Sequence, residues 1–178
     1  MFSARGFTLI ECLIALAIIA ILFGIAVPAF SGTLEASRAV DARNELLASL
    51  TTASSRAALT GQRAVLCPSA DGRTCLDDED WSPGWIVFSD PDADRVHDAD
   101  EPVLHRQEAL AGKVRLRSTV GRTRIVYQGN GGNVGSNVTF TLCDGHGPAH
   151  AVTLVLSNAS RLREGVPTAA AVAETCAG

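Results

Sequence analysis

The feature that most constrains this sequence is an apolar run close to its amino terminus. Residues 7–30 contain 20 apolar residues in 24, and Glu11 is the only charged residue between Phe7 and Ala29. As a helix that rises 1.5 Å per residue, this stretch reaches roughly 34 Å, enough to span a bilayer core of about 30 Å. The run predicts a helix that is covered by a membrane or by a protein assembly.

Three functions compete for such a run: a secretory signal, a plain membrane anchor and an assembly helix. A secretory signal needs a cleavage site of small residues, and residues 26–29 (AVPA) make a poor one. A plain anchor has little use for the Glu11 carboxylate, which costs roughly 2.5–3.5 kcal/mol near a membrane centre. Glu11 needs a partner, and a new amino terminus produced nearby by proteolysis would supply one.

Residues 5–11 (RGFTLIE) resemble the type III signal of type IV prepilins and pseudopilins. By that resemblance, a prepilin peptidase cuts between Gly6 and Phe7, and Phe7 becomes N-methylated. Glu11 would then neutralise the Phe7 amine of a neighbouring subunit during assembly. Pro28 matches the helix-kinking proline that is common in these proteins.

Helical spacing of apolar residues continues beyond the apolar run as far as Ala57, and Gly61 is a natural C-cap. This pattern predicts one helix from about Phe7 to Thr60, on the order of 80 Å long. Pro28 and Gly32 mark the predicted bend. The predicted segments are a leader (1–6), a transmembrane and assembly helix (7–30), the amphipathic half of that helix (31–61) and a β-rich periplasmic domain (62–178).

After Gly61 the sequence changes to short apolar runs separated by Gly, Pro, Asn and Asp, which are typical of β-strands. An alanine-rich tail follows at residues 168–173. The pattern predicts an α+β fold, in which antiparallel strands cover the apolar stripe of the helix. The seven predicted strands are 64–67, 85–88, 103–105, 114–117, 124–127, 138–142 and 152–156.

Three segments of the β-rich part are similar to the GspH/FimT family of minor pilins and pseudopilins: 66–72 (LCPSADG), 81–88 (WSPGWIVF) and 142–145 (LCDG). The resemblance implies a pilin-like fold in a single-pass protein of the bacterial inner membrane. Its implied partners are other major and minor pilins or pseudopilins, the prepilin peptidase and the inner-membrane assembly platform. Its implied role is to help initiate or cap a type IV pilus or a type II secretion pseudopilus. We interpret Trp81 and Trp85 as core or sheet-edge packing.

The five cysteines indicate the compartment of the domain. Cys12 lies in the apolar helix and is expected to be unpaired, whereas the other four allow three pairings. Cys67 and Cys75 flank a turn-rich loop, which favours that bridge and leaves Cys143 with Cys176. A zinc site is the alternative, although none of the spacings is C-x-x-C. An even number of cysteines outside the membrane fits an oxidising periplasm.

The net charge of −4 excludes a uniformly basic nucleic-acid binder, but charge is unevenly distributed. Residues 71–101 carry a net −9, and residues 102–124 carry a net +5. Within the acidic stretch, five carboxylates occupy positions 1, 3, 5, 9 and 12 of a calcium-loop pattern, but Arg95 takes the sixth position, where glycine is expected. We therefore favour a solvated acidic loop and expect no metal or cofactor, with calcium as the alternative. The five carboxylates are Asp90, Asp92, Asp94, Asp98 and Glu101.

Residues 157–163 (SNASRLR) resemble the Gly-Arg-x-Arg element of DNA-binding members of the same family. Arg161 and Arg163 match, while Ser160 replaces the glycine, which would permit a positive φ. These arginines make double-stranded DNA an alternative partner, in DNA uptake. The competing interpretation is a solvated sheet face or a contact with the acidic loop of a neighbouring subunit. A second basic face could add Lys113, Arg115, Arg117, Arg122 and Arg124.

No catalytic constellation emerges from the sequence. The four histidines are scattered, and no nucleophile motif lies near them. The glycine-rich residues 129–133 precede a predicted strand and are typical of a hairpin loop. The sequence predicts a structural subunit and no enzyme.

Overall fold

The computed structural model of the chain describes residues 8–133 and 135–176, so the predicted cleavage site at Gly6 and Phe7 lies outside the described residues. The helices are α1 (Leu9–Thr60) and α2 (Ala169–Cys176). The chain divides into two compact units, and the second begins at Glu35. In chain order the strands are β1 (Arg63–Pro68), β2 (Trp85–Asp90), β3 (Val103–Gln107), β4 (Arg115–Ser118), β5 (Ile125–Tyr127), β6 (Val138–Cys143), β7 (Val152–Leu156) and β8 (Leu162–Gly165).

The prediction of one long helix is confirmed, since α1 is continuous through Pro28 and Gly32. It ends where Gly61 adopts a φ of +69°, which a residue with a side chain rarely adopts. The Gly61 N–H donates to the Ala57 carbonyl at 2.9 Å and closes the last turn. Gly61 is therefore the C-cap that the sequence predicts.

The strands form two antiparallel four-stranded sheets. The first has the order β3-β2-β1-β5, and the second has the order β4-β6-β7-β8. All seven predicted strands are present, and the predicted α+β fold is confirmed. The sequence missed β8, which pairs with β7 at the edge of the second sheet. It also missed α2, which replaces the predicted alanine-rich tail.

The core lies between the second half of α1 and the inner faces of the two sheets. Leu46 and Ala53 of α1 are fully buried, as are Trp81, Trp85 and Phe140 on the sheet side. The rings of Trp81 and Phe140 meet edge to face at 5.1 Å. The packing role predicted for both tryptophans is confirmed.

Two disulfides crosslink this domain, in the pairs that the sequence favours. Cys67 is bonded to Cys75, and Cys143 is bonded to Cys176. The second bridge joins the end of β6 to the end of α2. Cys12 is free and exposed.

Candidate functional site

The first half of α1 has an apolar surface that nothing in the described chain covers. The window Leu9–Ala26 has a mean hydropathy of 2.8, and none of its residues is buried. Leu9 is 80% exposed and Ile25 is 68% exposed. This helix is long and apolar enough to cross a membrane.

Glu11 occupies the first turn of that helix and is bound to Thr8. The Thr8 N–H and Oγ1 both donate to Glu11 Oε2 at 2.9 Å, and the Glu11 N–H donates back to Thr8 Oγ1 at 3.4 Å. This reciprocal arrangement is a capping box, and it places the carboxylate at the positive end of the helix dipole. This capping role was not predicted, although the T-x-x-E spacing contains the signal for it. The other predicted assembly residue, Pro28, lies within α1, and its side chain is outside what the structure describes.

Arg161 ends the tight turn between β7 and β8, and Arg163 lies on β8. Ser160 adopts a φ of +57°, and its N–H and Oγ each donate to Asn133 Oδ1 at 3.0 Å. The serine therefore holds the positive φ that a glycine would give, and two hydrogen bonds stabilise it there. Arg161 and Arg163 are both exposed. In the described chain no hydrogen bond or ion pair engages either guanidinium.

The other predicted basic residues do not gather around this turn. Arg115 and Arg117 lie on β4, at the edge of the second sheet opposite β8. Three inter-strand spacings separate these edges, about 14 Å. Arg117 is paired with Glu79 at 3.5 Å. Lys113, just before β4, is exposed, and its backbone N–H donates to a helix carboxylate, Glu35 Oε2, at 3.1 Å.

A pocket of about 390 Å³ collects four arginines that are distant in the sequence: Arg63, Arg95, Arg122 and Arg124. Arg122 donates to the Gly135 carbonyl at 2.9 Å, and Arg124 is paired with Asp77 at 3.1 Å. The sequence indicated Arg122 and Arg124 but missed Arg63 and Arg95. No local pattern could have found them, because β1, the β2–β3 connection and the β4–β5 connection meet only in the folded chain. The four guanidinium groups suit an anionic group.

The acidic residues of the β2–β3 connection come together in the structure. One carboxylate oxygen from each of Asp90, Asp92 and Asp94 lies within 4.8 Å of the others. Asp92, Asp94 and Asp98 are exposed, as a solvated loop requires. That interpretation is wrong for two of the five predicted residues: Asp90 is fully buried, and Glu101 is only 8% exposed.

Both buried carboxylates keep one oxygen without a hydrogen-bond donor in the described part of the chain. Asp90 Oδ1 accepts a long bond of 3.4 Å from the Arg95 N–H, and Glu101 Oε2 accepts from the Asp98 N–H at 3.1 Å. Burial raises the pKa of Asp90, and the adjacent Asp92 carboxylate raises it further. Burial also raises the pKa of Glu101, with added repulsion from Asp90, Asp92 and Asp98. The cluster thus concentrates negative charge at partly dehydrated oxygens.

A long amino-terminal helix with an exposed apolar first half, packed through its second half on antiparallel sheets, defines the pilin class of proteins. Residues 42–160 match the family described as type II transport protein GspH. Residues 1–27 match the prokaryotic N-terminal methylation motif. The chain belongs to the GspH family.

Solved structures of two minor subunits have a similar fold. The type IV minor pilin FimU of Pseudomonas aeruginosa superposes with a TM-score of 0.57 at 20% identity, covering 82% of this chain and 97% of FimU. The minor pseudopilin EpsH from the type II secretion system of Vibrio cholerae gives 0.51 at 14% identity, covering 73% of this chain and 98% of EpsH. A search of curated proteins finds no significant match.

Proposed function

We propose that this protein is a membrane-anchored minor pilin or pseudopilin, a structural subunit of a type IV pilus or a type II secretion pseudopilus. The observation that carries the proposal is the exposed apolar helix Leu9–Ala26, which lies within the residues that match the methylation motif, 1–27. An apolar helix of this length needs a bilayer or neighbouring apolar helices to cover it. The names of the similar structures, a minor pilin and a minor pseudopilin, support the same function.

Assembly begins with processing in the inner membrane, with the globular domain in the periplasm. The prepilin peptidase cuts between Gly6 and Phe7, and the new Phe7 amine is methylated. Glu11 then pairs with the amine of a neighbouring subunit, because a carboxylate in an apolar environment needs a cationic partner. The capping box with Thr8 supports this step, since it fixes the carboxylate in the first turn of the helix.

Processing is tested by expressing the full chain with and without a prepilin peptidase. We expect mass spectrometry of the membrane fraction to find a chain that begins at N-methylated Phe7 only when the peptidase is present. A chain that keeps residues 1–6 whether or not the peptidase is expressed would contradict the processing step.

Assembly is tested with Glu11→Gln, which removes the charge but keeps the size of the side chain. We expect this variant to be processed and inserted but to lose crosslinks to other pilus or pseudopilus subunits. Asp41→Asn is the matched control, since it removes an exposed carboxylate from the same helix beyond the apolar segment. Equal crosslinking by wild type and Glu11→Gln would contradict the proposal. The subunits crosslinked to the wild type identify the filament.

A second candidate function is the binding of double-stranded DNA through Arg161 and Arg163. The turn at Ser160 favours it, because the positive φ expected for a glycine is present and both guanidinium groups are exposed. Two phosphate contacts give weak binding that falls steeply with salt, with a logarithmic slope of about −1.8. Repetition along a filament strengthens such contacts by avidity.

DNA binding is tested with the full chain in neutral detergent. We expect Arg161→Ala with Arg163→Ala to abolish the salt-dependent binding of duplex DNA. Arg56→Ala with Arg73→Ala removes the same charge from two other exposed positions and is expected to retain it. An equal loss in both double variants would contradict a specific role for the β7–β8 turn.

A further inference from the structure

The acidic loop, residues 90–101 between β2 and β3, has the ligand spacing of a twelve-residue calcium loop. Its carboxylates stand at positions 1, 3, 5, 9 and 12, the positions from which such a loop directs oxygen atoms at one ion. Three of them, Asp90, Asp92 and Asp94, are already close enough for their oxygens to meet at one point. Spacing and folded geometry therefore indicate the same centre.

Two buried carboxylate oxygens in this loop lack the partner that burial requires. Asp90 is fully buried and Oδ2 receives no hydrogen bond, and the same holds for Oε1 of Glu101, across the described residues. A buried polar atom without a partner costs about 1–3 kcal/mol, and more when it is charged. Neighbouring carboxylates also repel both groups: Asp92 repels Asp90, and Asp90, Asp92 and Asp98 repel Glu101. A cation held among these oxygens removes both costs.

The sixth position does not obstruct this function. A calcium loop needs a positive φ there, and this is why glycine is usual. Arg95 occupies the position with a φ of +68°. The loop has therefore adopted the turn that a calcium loop needs at this position. The arginine in place of glycine is expected to weaken calcium binding without changing the geometry of the loop.

We propose that the acidic loop binds one calcium ion through Asp90, Asp92, Asp94, Asp98 and Glu101. Calcium fits better than the common alternatives because it accepts six to eight oxygen ligands in a flexible loop. Magnesium demands a near-ideal octahedron, and zinc prefers nitrogen and sulfur ligands. The flanking elements are strands, so the ion fastens a β2–β3 connection and not a pair of helices.

The bound ion also fixes the wall of the arginine pocket. The Ala93 carbonyl accepts from Arg63 Nη1 at 3.2 Å, and the Arg95 carbonyl accepts from Arg124 Nε at 3.2 Å. Both carbonyls belong to the loop that the ion closes. Calcium therefore holds these two guanidinium groups in place.

The test uses the full-length protein in neutral detergent, freed of metal with EGTA. We expect equilibrium dialysis with ⁴⁵Ca to show one ion per chain, and 1 mM calcium to raise the midpoint of thermal unfolding followed by tryptophan fluorescence. Magnesium at the same ionic strength is expected to have a much smaller effect. Equal midpoints in calcium and EGTA, or an equal rise with magnesium, would overturn the proposal.

Variants separate a ligand site from general screening of the acidic surface. Asp92→Asn, at an exposed position, is expected to weaken calcium binding at least tenfold. Asp100→Asn removes the same charge from an exposed position that is not a ligand position, and is expected to bind like wild type. Arg95→Gly removes the strain of holding a side-chain residue at a positive φ, and is expected to tighten calcium binding. Equal affinities for Asp92→Asn and Asp100→Asn would overturn the site.

Discussion

Among the described residues, a fully buried hydrogen bond joins Trp85 of the first sheet to Ser49 of α1. The indole Nε1–H of Trp85 donates to Ser49 Oγ at 2.8 Å, and both residues are fully buried. Ser49→Ala leaves this donor without a partner, so we expect a loss of about 1–3 kcal/mol in the free energy of unfolding. Urea denaturation measures it, with the exposed Ser55→Ala as control. Equal stability of the two variants would contradict the role of this bond.

Glu35 makes the stability of the domain depend on pH. The hydrogen bond from the Lys113 N–H lowers the pKa of its carboxyl group, and Arg38 lowers it further. Because the folded pKa is lowered, the stabilisation is complete above the ordinary value of about 4.3 and is lost as the pH falls through the folded pKa. We expect Glu35→Gln to unfold at a lower temperature than wild type at pH 7, with the difference shrinking at pH 3. Glu174→Gln, at an exposed carboxylate of α2, should show no such convergence.

Among the elements, those with strong periodicity could be predicted from the sequence, and the others could not. In α1 and the seven predicted strands, the spacing of apolar residues along the sequence indicates which side chains become buried. The edge strand β8 contains one apolar residue, Leu162, and depends on pairing with β7. Helix α2 depends on its attachment to β6 through Cys143 and Cys176. Such elements are defined by long-range contacts, which a local pattern does not encode.

The candidate sites follow the same division. The residues around Glu11 and the spacing of the acidic loop could be found from the sequence, because each lies within one short segment. The sequence did not predict that Asp90 and Glu101 are buried, since their environment comes from other elements. The arginine pocket is the extreme case, because Arg63 and Arg124 come together only by donating to carbonyls of the folded β2–β3 connection, those of Ala93 and Arg95.

The two disulfides are expected to contribute unequally, because they close loops of different length. Cys143 and Cys176 are separated by 33 residues, and Cys67 and Cys75 by 8. Loop-closure entropy predicts losses of roughly 4 kcal/mol for removing the first and roughly 2.5 kcal/mol for removing the second. Paired Cys→Ser variants, compared by urea denaturation, measure both. A larger loss for the shorter loop would contradict the entropic account.

At the scale of the whole molecule, the second half of α1 supplies side chains to the core of the domain, whereas none of the described side chains of its first half belongs to that core. In the described chain the buried apolar core begins at Ala42 and includes Leu46, Leu50 and Ala53. A chain of residues 31–178 keeps all of these side chains and loses the exposed apolar surface. We therefore expect it to be soluble without detergent and to unfold cooperatively.

The matched truncation, residues 62–178, tests whether the two sheets need α1 in order to fold. It retains both sheets and both disulfides but loses the buried side chains of α1, so the inner faces around Trp85 and Phe140 meet water. We expect this chain to aggregate or to lose its near-ultraviolet circular dichroism, because exposed apolar area on this scale is not tolerated in a soluble domain. Light scattering and circular dichroism of the two truncations make the comparison. Equal unfolding midpoints would show that the sheets fold without α1 and would contradict its role in the core.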